Sequence, residues 1–141
     1  MGDDDSGEGR RDPAGVPPRP RQVLVVDDDD MLREVAKVSL EMVGGWRVTT
    51  AGSGQEACRI AVADQPDALL LDVMMPGMDG PSTVLALQRD PATQDIPVIF
   101  LTAKVGGEGH AQWDDLPVVG VIPKPFDPMT LPTEVARLLG W

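Results

Sequence analysis

The sequence predicts an α/β protein built on a doubly wound, five-stranded parallel sheet in the order 2-1-3-4-5. Short apolar runs alternate along the chain with segments whose apolar residues recur at helical spacing. Strands that alternate with helices form a parallel sheet covered on both faces. Four of the five apolar runs also lead into polar residues, as strand ends do where an open α/β sheet binds its ligands. These residues are Asp27 and Asp28, Asp72, Thr102 and Lys124.

The first strand covers residues 23–26, and a helix follows it directly. Asp29 or Asp30 caps this helix, because a short carboxylate accepts hydrogen bonds from the free amides of the first turn. Helical spacing then predicts an inner face that consists of Leu32, Val35, Ala36, Ser39, Leu40 and Val43.

The second strand is of the edge type, since apolar and polar residues alternate over positions 46–50. Ser53 and Glu56 have the spacing of a capping box and start the second helix. The third strand is a continuous apolar run, 69–71, which ends abruptly at Asp72. Such runs are typical of strands that are buried on both faces.

The third helix has Pro81 in its first turn, where a proline is tolerated, and it stops at Asp90. A fourth strand of residues 98–101 ends at Thr102, and a fifth covers residues 118–122. Between these two strands, residues 105–115 form the weakest predicted helix, because each of three glycines costs about 1 kcal/mol relative to alanine.

The last helix is capped by Thr130, which puts Pro132 in the first turn. Its apolar face consists of Leu131, Val135, Leu138 and Leu139.

Composition narrows the possible functions. The formal net charge of −11 argues against a nucleic-acid binder, which needs a basic patch. The single cysteine, Cys58, excludes a disulfide framework and favours a reducing, cytoplasmic setting. No apolar run reaches the roughly 18 residues of a membrane span. Residues 1–20 have too few large apolar side chains to fold, so we expect a disordered tail before a single domain at 21–141.

The predicted strand ends bring like charges together. Strands 1 and 3 are neighbours in the sheet, so Asp27, Asp28 and Asp72 converge at one edge. An uncompensated cluster of carboxylates shifts its pKa values upward or destabilises the fold. A divalent cation resolves this, and Mg²⁺ typically takes one or two carboxylates, waters and a phosphate oxygen.

The other strand-end residues match the demands of phosphoryl transfer. Asp72 can serve as a nucleophile, since carboxylates form aspartyl phosphates. Lys124 would neutralise charge on the phosphoryl group, and the Thr102 hydroxyl would donate to one of its oxygens.

These motifs, in this order, resemble the receiver domain of two-component response regulators. The resemblance covers about residues 21–141 and is carried by Asp27-Asp28, Asp72 with the loop MPGMDG, Thr102-Ala103 and Lys124-Pro125-Phe126. It implies a flavodoxin-like (βα)5 fold. It also implies that a sensor histidine kinase or a phosphotransfer protein passes a phosphoryl group to Asp72.

The resemblance further implies a role for each site residue. Asp28, Asp72 and the backbone carbonyl of Met74 would ligate Mg²⁺ directly, whereas Asp27 would act mainly through water. Thr102 and Lys124 would bind the incoming phosphoryl group and move when it arrives.

We expect the output to pass through protein contact. No DNA-binding or catalytic output domain follows the last predicted helix, so we expect a stand-alone regulator with an unidentified downstream protein partner. Its only chemistry would be its own phosphorylation and dephosphorylation, so it would not be an enzyme. A monomer or a weak dimer is expected.

Three features depart from the family pattern. Val121 occupies the position, three residues before the lysine, where the family usually has a tyrosine or phenylalanine. The glycines at 106, 107 and 109 weaken a helix that normally belongs to the output face. Met74 and Lys104 occupy positions that in the family control access of hydrolytic water. An apolar Met74 cannot orient a water, so we expect a long-lived phosphorylated state.

Two other functions fit parts of the sequence. A small phosphatase of the haloacid dehalogenase type also uses an aspartate nucleophile, but on the first strand with a second acid two residues later. The acidic run 27–30 permits that arrangement, with Asp72 as an accessory acid. A pseudo-receiver that only binds partners is disfavoured, because every chemical residue is present.

Overall fold

The structure is a computed structural model that describes residues 20–103 and 115–141. Within these ranges, strands and helices alternate as predicted. The strands are β1 Gln22–Val26, β2 Arg47–Ala51, β3 Ala68–Asp72, β4 Val98–Thr102 and β5 Gly120–Pro123. The helices are α1 Asp30–Met42, α2 Gly54–Asp64, α3 Gly80–Arg89 and α4 Leu131–Leu139.

The five strands form one parallel sheet in the order β2-β1-β3-β4-β5, which confirms the predicted topology. The chain moves from β1 to one side of the sheet and then crosses to the other side through β3. The strand order reverses at β1, so the carboxyl ends of β1 and β3 flank the switch point at which open α/β sheets bind their ligands.

The core lies on both faces of this sheet, because successive residues of a strand point to opposite faces. Strands β3 and β4 are buried along their whole length. One face packs against α2 and α3 and includes Leu24, Leu69, Leu71, Phe100, Ala57 and Val84. The other face packs against α1 and α4 and includes Val23, Leu70, Ile99, Leu40, Leu131 and Val135.

Local capping starts the helices close to the predicted residues. Asp29 caps α1 by accepting from two first-turn amides at 2.9 and 3.1 Å. Ser53 caps α2 and accepts from the Glu56 amide at 3.1 Å. The Glu56 carboxylate, however, accepts from the Gly52 amide at 2.8 Å, one residue before the cap. The predicted capping box is therefore displaced by one residue on its second side.

The last helix begins at the predicted residue but lacks the predicted side-chain cap. Thr130 is the N-cap residue and Pro132 lies in the first turn, yet the Thr130 side chain makes no capping hydrogen bond. At the other end, the Trp141 ring packs edge-on against Trp46, with 5.1 Å between ring centroids. The Arg21 guanidinium lies 4.5 Å from the Trp141 ring centroid, which ties the end of α4 to the start of β1.

Two parts of the sequence prediction were wrong in detail. Val35 and Val43 are 37% and 46% exposed, because the core-facing stripe of α1 is narrower than the apolar pattern suggests. The fifth strand begins at Gly120, two residues later than predicted. A Cβ atom at Gly120 would lie 2.5 Å from Leu138, so this glycine permits α4 to pack closely on the strand.

Several predictions concern residues outside the described ranges. The weak helix at 105–115 lies there apart from Asp115, as does Lys104, and the predicted disordered tail does so apart from Pro20. Among the helices that the structure describes, none is long and apolar enough to cross a membrane.

Candidate functional site

Three carboxylates converge at the carboxyl ends of β1 and β3. Asp27 and Asp28 follow β1, and Asp72 is the last residue of β3. One oxygen from each residue lies within 4.8 Å of the others. Asp27 and Asp72 are buried, whereas Asp28 is exposed. The predicted convergence of these acids is confirmed, with one of the three facing solvent.

Lys124 offsets part of this negative charge. Its Nζ lies 2.8 Å from Asp27 Oδ2 and 3.0 Å from Asp72 Oδ1. The Lys124 amide donates to the Thr102 carbonyl at 2.9 Å, which continues the pairing of β5 with β4 beyond the strand end. The ammonium group therefore reaches the acids from the end of β5, on the far side of β4 from β3, and it bridges two of them.

Burial and neighbouring charges shift the pKa values of Asp72 and Lys124. Burial is the largest cause that raises the pKa of Asp72, to about 6, and the nearby Asp27 charge adds to the effect. Hydrogen bonds from Lys124 and the Met74 amide oppose that rise. For Lys124, burial lowers the pKa, but the hydrogen bonds and attraction of Asp27 and Asp72 outweigh it and leave that pKa raised.

Thr102 ends β4 next to these groups. It is 1% exposed and lies opposite Pro123, while the residue before it lies opposite Asp72. The hydroxyl of this threonine is thus held at the same sheet edge as the acids. A threonine hydroxyl can donate a hydrogen bond, and the predicted role of Thr102 in binding a phosphoryl group stays a prediction.

The β3–α3 loop is folded back against Asp72. The Met74 amide donates to Asp72 Oδ1 at 3.2 Å, and the Met74 side chain is 62% exposed. A Cβ atom at Gly80 would lie 2.8 Å from both the Asp72 carbonyl oxygen and Val73 Cα. Only a glycine lets α3 begin this close to the strand that carries Asp72.

Helix α1 contains a residue next to the site that the sequence patterns did not indicate. Arg33, in α1, donates from Nη1 to the Asp27 carbonyl oxygen at 2.6 Å and pairs through Nη2 with Asp30. The one sequence signal for this contact is a basic residue one turn after an acidic run. Asp27 Oδ1 in turn accepts from the Asp29 amide at 2.9 Å.

The donor set fits a hard divalent cation. All three side chains offer carboxylate oxygens, the ligands that Mg²⁺ prefers, and one lysine cannot neutralise three acids. Asp27, Asp28 and Asp72 are therefore the residues that could hold such an ion. Direct ligation by the Met74 carbonyl and water-mediated ligation by Asp27 stay predictions.

Comparison with known proteins is consistent with this geometry. The model of the response regulator receiver domain matches residues 23–136. The chain is 40% identical to the phosphate regulon transcriptional regulatory protein PhoB of Pseudomonas aeruginosa, over 84% of this chain and 50% of that protein. It is 36% identical to the DNA-binding dual master transcriptional regulator RpaA of Synechocystis, over 84% and 48%. The chain thus spans about half the length of these relatives.

Solved structures include close matches over their whole length. The chemotaxis protein CheY4 of Vibrio cholerae superposes with a TM-score of 0.78 at 30% identity, over 84% of this chain and 98% of that one. With the matched model, the relatives and the site geometry in agreement, the chain belongs to the response regulator receiver domain family.

Proposed function

We propose that this chain is a phospho-accepting receiver in which Asp72 takes a phosphoryl group from a sensor histidine kinase or a phosphotransfer protein. One observation carries the proposal. Asp72 is a buried carboxylate at a strand end, and its oxygen is shared between a lysine and an acid cluster suited to a divalent cation. Membership of the receiver family supports the same reaction.

The transfer would be an in-line displacement at phosphorus. An Asp72 oxygen attacks the phosphorus of a phosphohistidine, a P–O bond forms and the P–N bond breaks. The leaving imidazole keeps the electron pair of that bond and takes a proton. Mg²⁺ held by Asp27, Asp28 and Asp72 would neutralise charge on the phosphoryl oxygens.

The contacts of Lys124 suggest how the site responds. Its ammonium group bridges Asp27 and Asp72, so formation of an aspartyl phosphate replaces one of its partners. We propose that Lys124 then pairs with a phosphoryl oxygen and that the Thr102 hydroxyl donates to another. Movement of these two side chains, on adjacent strands, would carry the signal away from Asp72.

The exposed face of α1 suggests where the phosphodonor binds. Met31, Val38 and Met42 are 76%, 46% and 80% exposed, and Met129 across the groove is 68% exposed. Val38, Met42 and Met129 line a groove with a volume of about 450 Å³. Because α1 begins two residues after Asp28, a helical, histidine-bearing domain on this face would bring its imidazole close to Asp72.

A matched pair of variants tests this docking face. Val38 on α1 and Val62 on α2 are 46% and 45% exposed, so Val38→Asp and Val62→Asp introduce the same charge on different helices. Histidine kinases of the source organism, labelled with ATP, would be screened for the fastest donor. We expect Val38→Asp alone to slow transfer from that kinase, with both variants labelled normally by acetyl phosphate. Equal slowing of both variants would contradict the proposed face.

We propose that the phosphorylated chain signals to a protein. The formal net charge of −11 supports this, since direct contact with DNA requires a basic surface. The relatives that are named as transcriptional regulators are about twice as long as this chain, so their DNA binding is not carried over.

The phosphatase alternative is weakened by the position of Asp29. That mechanism needs a second acid two residues after a first-strand nucleophile. Asp29 occupies this position relative to Asp27, but its carboxylate is committed to the cap of α1. We therefore propose that the chain undergoes only its own phosphorylation and dephosphorylation, without turnover of a separate substrate.

Labelling with acetyl phosphate in the presence of Mg²⁺ tests the reaction. We expect an acid-stable, base-labile adduct of one phosphoryl group in the unmodified chain and none in Asp72→Asn. Asp79→Asn is the matched control, because Asp79 caps α3 in the same loop and asparagine caps equally well. A label that persists in Asp72→Asn would contradict the proposal. Multiple-turnover hydrolysis of acetyl phosphate that depends on Asp27 would contradict it as well.

A further inference from the structure

The side chain of Arg33 reaches back from α1 to the acidic loop that precedes the helix. Nη1 donates to the Asp27 carbonyl oxygen at 2.6 Å, and Nη2 pairs with the Asp30 carboxylate. The Arg33 side chain is 21% exposed, whereas that of Asp30 is 90% exposed. The guanidinium thus makes one contact in a largely enclosed setting and one at the surface.

The β2–α2 turn encloses the other side of the guanidinium. A Cβ atom at Gly52 would lie 3.3 Å from Arg33 Nη1 and 3.7 Å from Cζ, so the group lies close against this glycine. The Asp27 amide, in turn, donates to the Ala51 carbonyl at 3.2 Å. Asp27 is therefore held from both sides of its backbone, by β2 at its amide and by Arg33 at its carbonyl.

The carbonyl that Arg33 holds belongs to the peptide unit that links Asp27 to Asp28. Rotation of this peptide unit changes the direction in which the exposed Asp28 leaves the backbone. Asp28 must point into the cluster for its oxygen to lie within 4.8 Å of Asp27 and Asp72. The orientation of this peptide unit therefore affects how far the Asp28 carboxylate lies from the carboxylates of Asp27 and Asp72.

We propose that Arg33 is a positioning residue that orients the Asp27–Asp28 peptide so that the acid cluster is preformed for a divalent cation. The inference rests on the proposed function, because it assigns the cation site to the phosphorylation reaction. Arg33 touches neither the cation nor the phosphoryl group, and its effect passes through the backbone of Asp27. Partners of this kind typically change metal affinity by 10- to 100-fold.

Electrostatics alone predicts the opposite result, which makes the inference testable. Arg33 carries a positive charge close to the acids, so its removal would strengthen the attraction of a cation if charge were its main contribution. Removal of a positioning residue weakens binding instead, because the carboxylates lose their mutual orientation. The sign of the change separates the two roles.

The experiment compares four variants by Mn²⁺ titration, with isothermal calorimetry or electron paramagnetic resonance as the readout. Arg33→Met removes the charge and both contacts, and Arg33→Lys keeps the charge but loses the planar two-armed group. Asp30→Asn removes the surface ion pair and leaves the carbonyl contact. Arg137→Met is the matched control, since Arg137 makes an ion pair of the same i,i+3 kind with Glu134 at 2.7 Å on α4.

We expect Arg33→Met to weaken Mn²⁺ binding by about tenfold or more, Arg33→Lys to weaken it less, and the other two variants to bind within about twofold of the unmodified chain. Unfolding in EDTA measures the metal-free fold of each variant separately. Unchanged or tighter binding by Arg33→Met would overturn the inference, as would equal weakening by Asp30→Asn. If the unmodified chain bound Mn²⁺ but was never phosphorylated, the proposed function would fail while the result for Arg33 remained.

Discussion

The raised pKa of Asp72 gives a sharp prediction about stability. Burial raises the pKa of this carboxyl from 3.8 to about 6 in the folded chain without metal. A group whose pKa is higher in the folded state stabilises the fold at low pH, and that contribution is lost as the pH rises through the folded value. The difference between these two pKa values corresponds to about 3 kcal/mol of unfolding free energy. Ionised Asp72 therefore destabilises the metal-free fold above pH 6 or so.

Asp72→Asn isolates this contribution, because asparagine is nearly isosteric and does not titrate. Urea unfolding would be measured in EDTA at pH 4 and at pH 8 for both chains. Relative to the unmodified chain, we expect Asp72→Asn to gain about 2–3 kcal/mol of unfolding free energy between these pH values. A difference that does not depend on pH, or one of opposite sign, would refute the reasoning.

Addition of Mg²⁺ at pH 8 completes the test. A ligand that binds only the folded state stabilises it by about 2.7 kcal/mol at one hundred times its dissociation constant. We expect the unmodified chain to gain most of this stability and Asp72→Asn to gain clearly less, since one ligand oxygen has been replaced by an amide. Equal stabilisation of both chains by Mg²⁺ would show that Asp72 is not a ligand of the cation.

Three further predictions concern the loop, the helix that follows it and the core. The purified phosphorylated chain should keep its phosphoryl group for minutes or longer. Met74→Asn should shorten the lifetime of the phosphorylated state, because an amide can orient the attacking water. Decay of the unmodified chain within seconds would contradict this prediction. Gly80→Ala should lower the unfolding free energy in urea by about 2 kcal/mol or more, since the added Cβ would lie 2.8 Å from the Asp72 carbonyl oxygen. Ser82→Ala is the control and should cost little, because Ser82 is exposed. Equal losses for the two variants would be inconsistent with close packing at Gly80. Phe100→Ala should cost about 3–5 kcal/mol, because this side chain is fully buried, and a loss below 1 kcal/mol would show that the core relaxes around it.

Much of the fold follows from local patterns. The last four residues of β1 and all of β3 and β4 are buried, which explains why these strands are apolar runs in the sequence up to the polar residues Asp72 and Thr102 that end β3 and β4. The starts of α1 and α2 could also be predicted from the sequence, since the capping hydrogen bonds of Asp29 and Ser53 join residues only a few positions apart. The predicted boundaries of β5 were less accurate. Leu138, from a helix distant in the sequence, packs against Gly120 at the start of this strand, and no local pattern reports that contact.

The identity of the site residues was likewise accessible from the sequence. A parallel sheet brings the carboxyl ends of its strands to one edge, so residue types at strand ends and strand order together predict which side chains meet. This inference places Asp27, Asp72 and Lys124 at the same sheet edge and requires no distance. Chemical type and chain order suffice for that inference, because both are properties of the sequence.

Only the tertiary structure determined how these residues interact. The Lys124 bridge joins side chains at the carboxyl ends of three strands, and the raised pKa of Asp72 follows from burial that no local pattern reports. The exposed apolar face of α1 and the contact from Arg33 to the Asp27 carbonyl depend equally on how separate elements pack. Sequence patterns record which residues are apolar, charged or conformationally special. Distances, burial and the energies that depend on them arise only when distant segments meet.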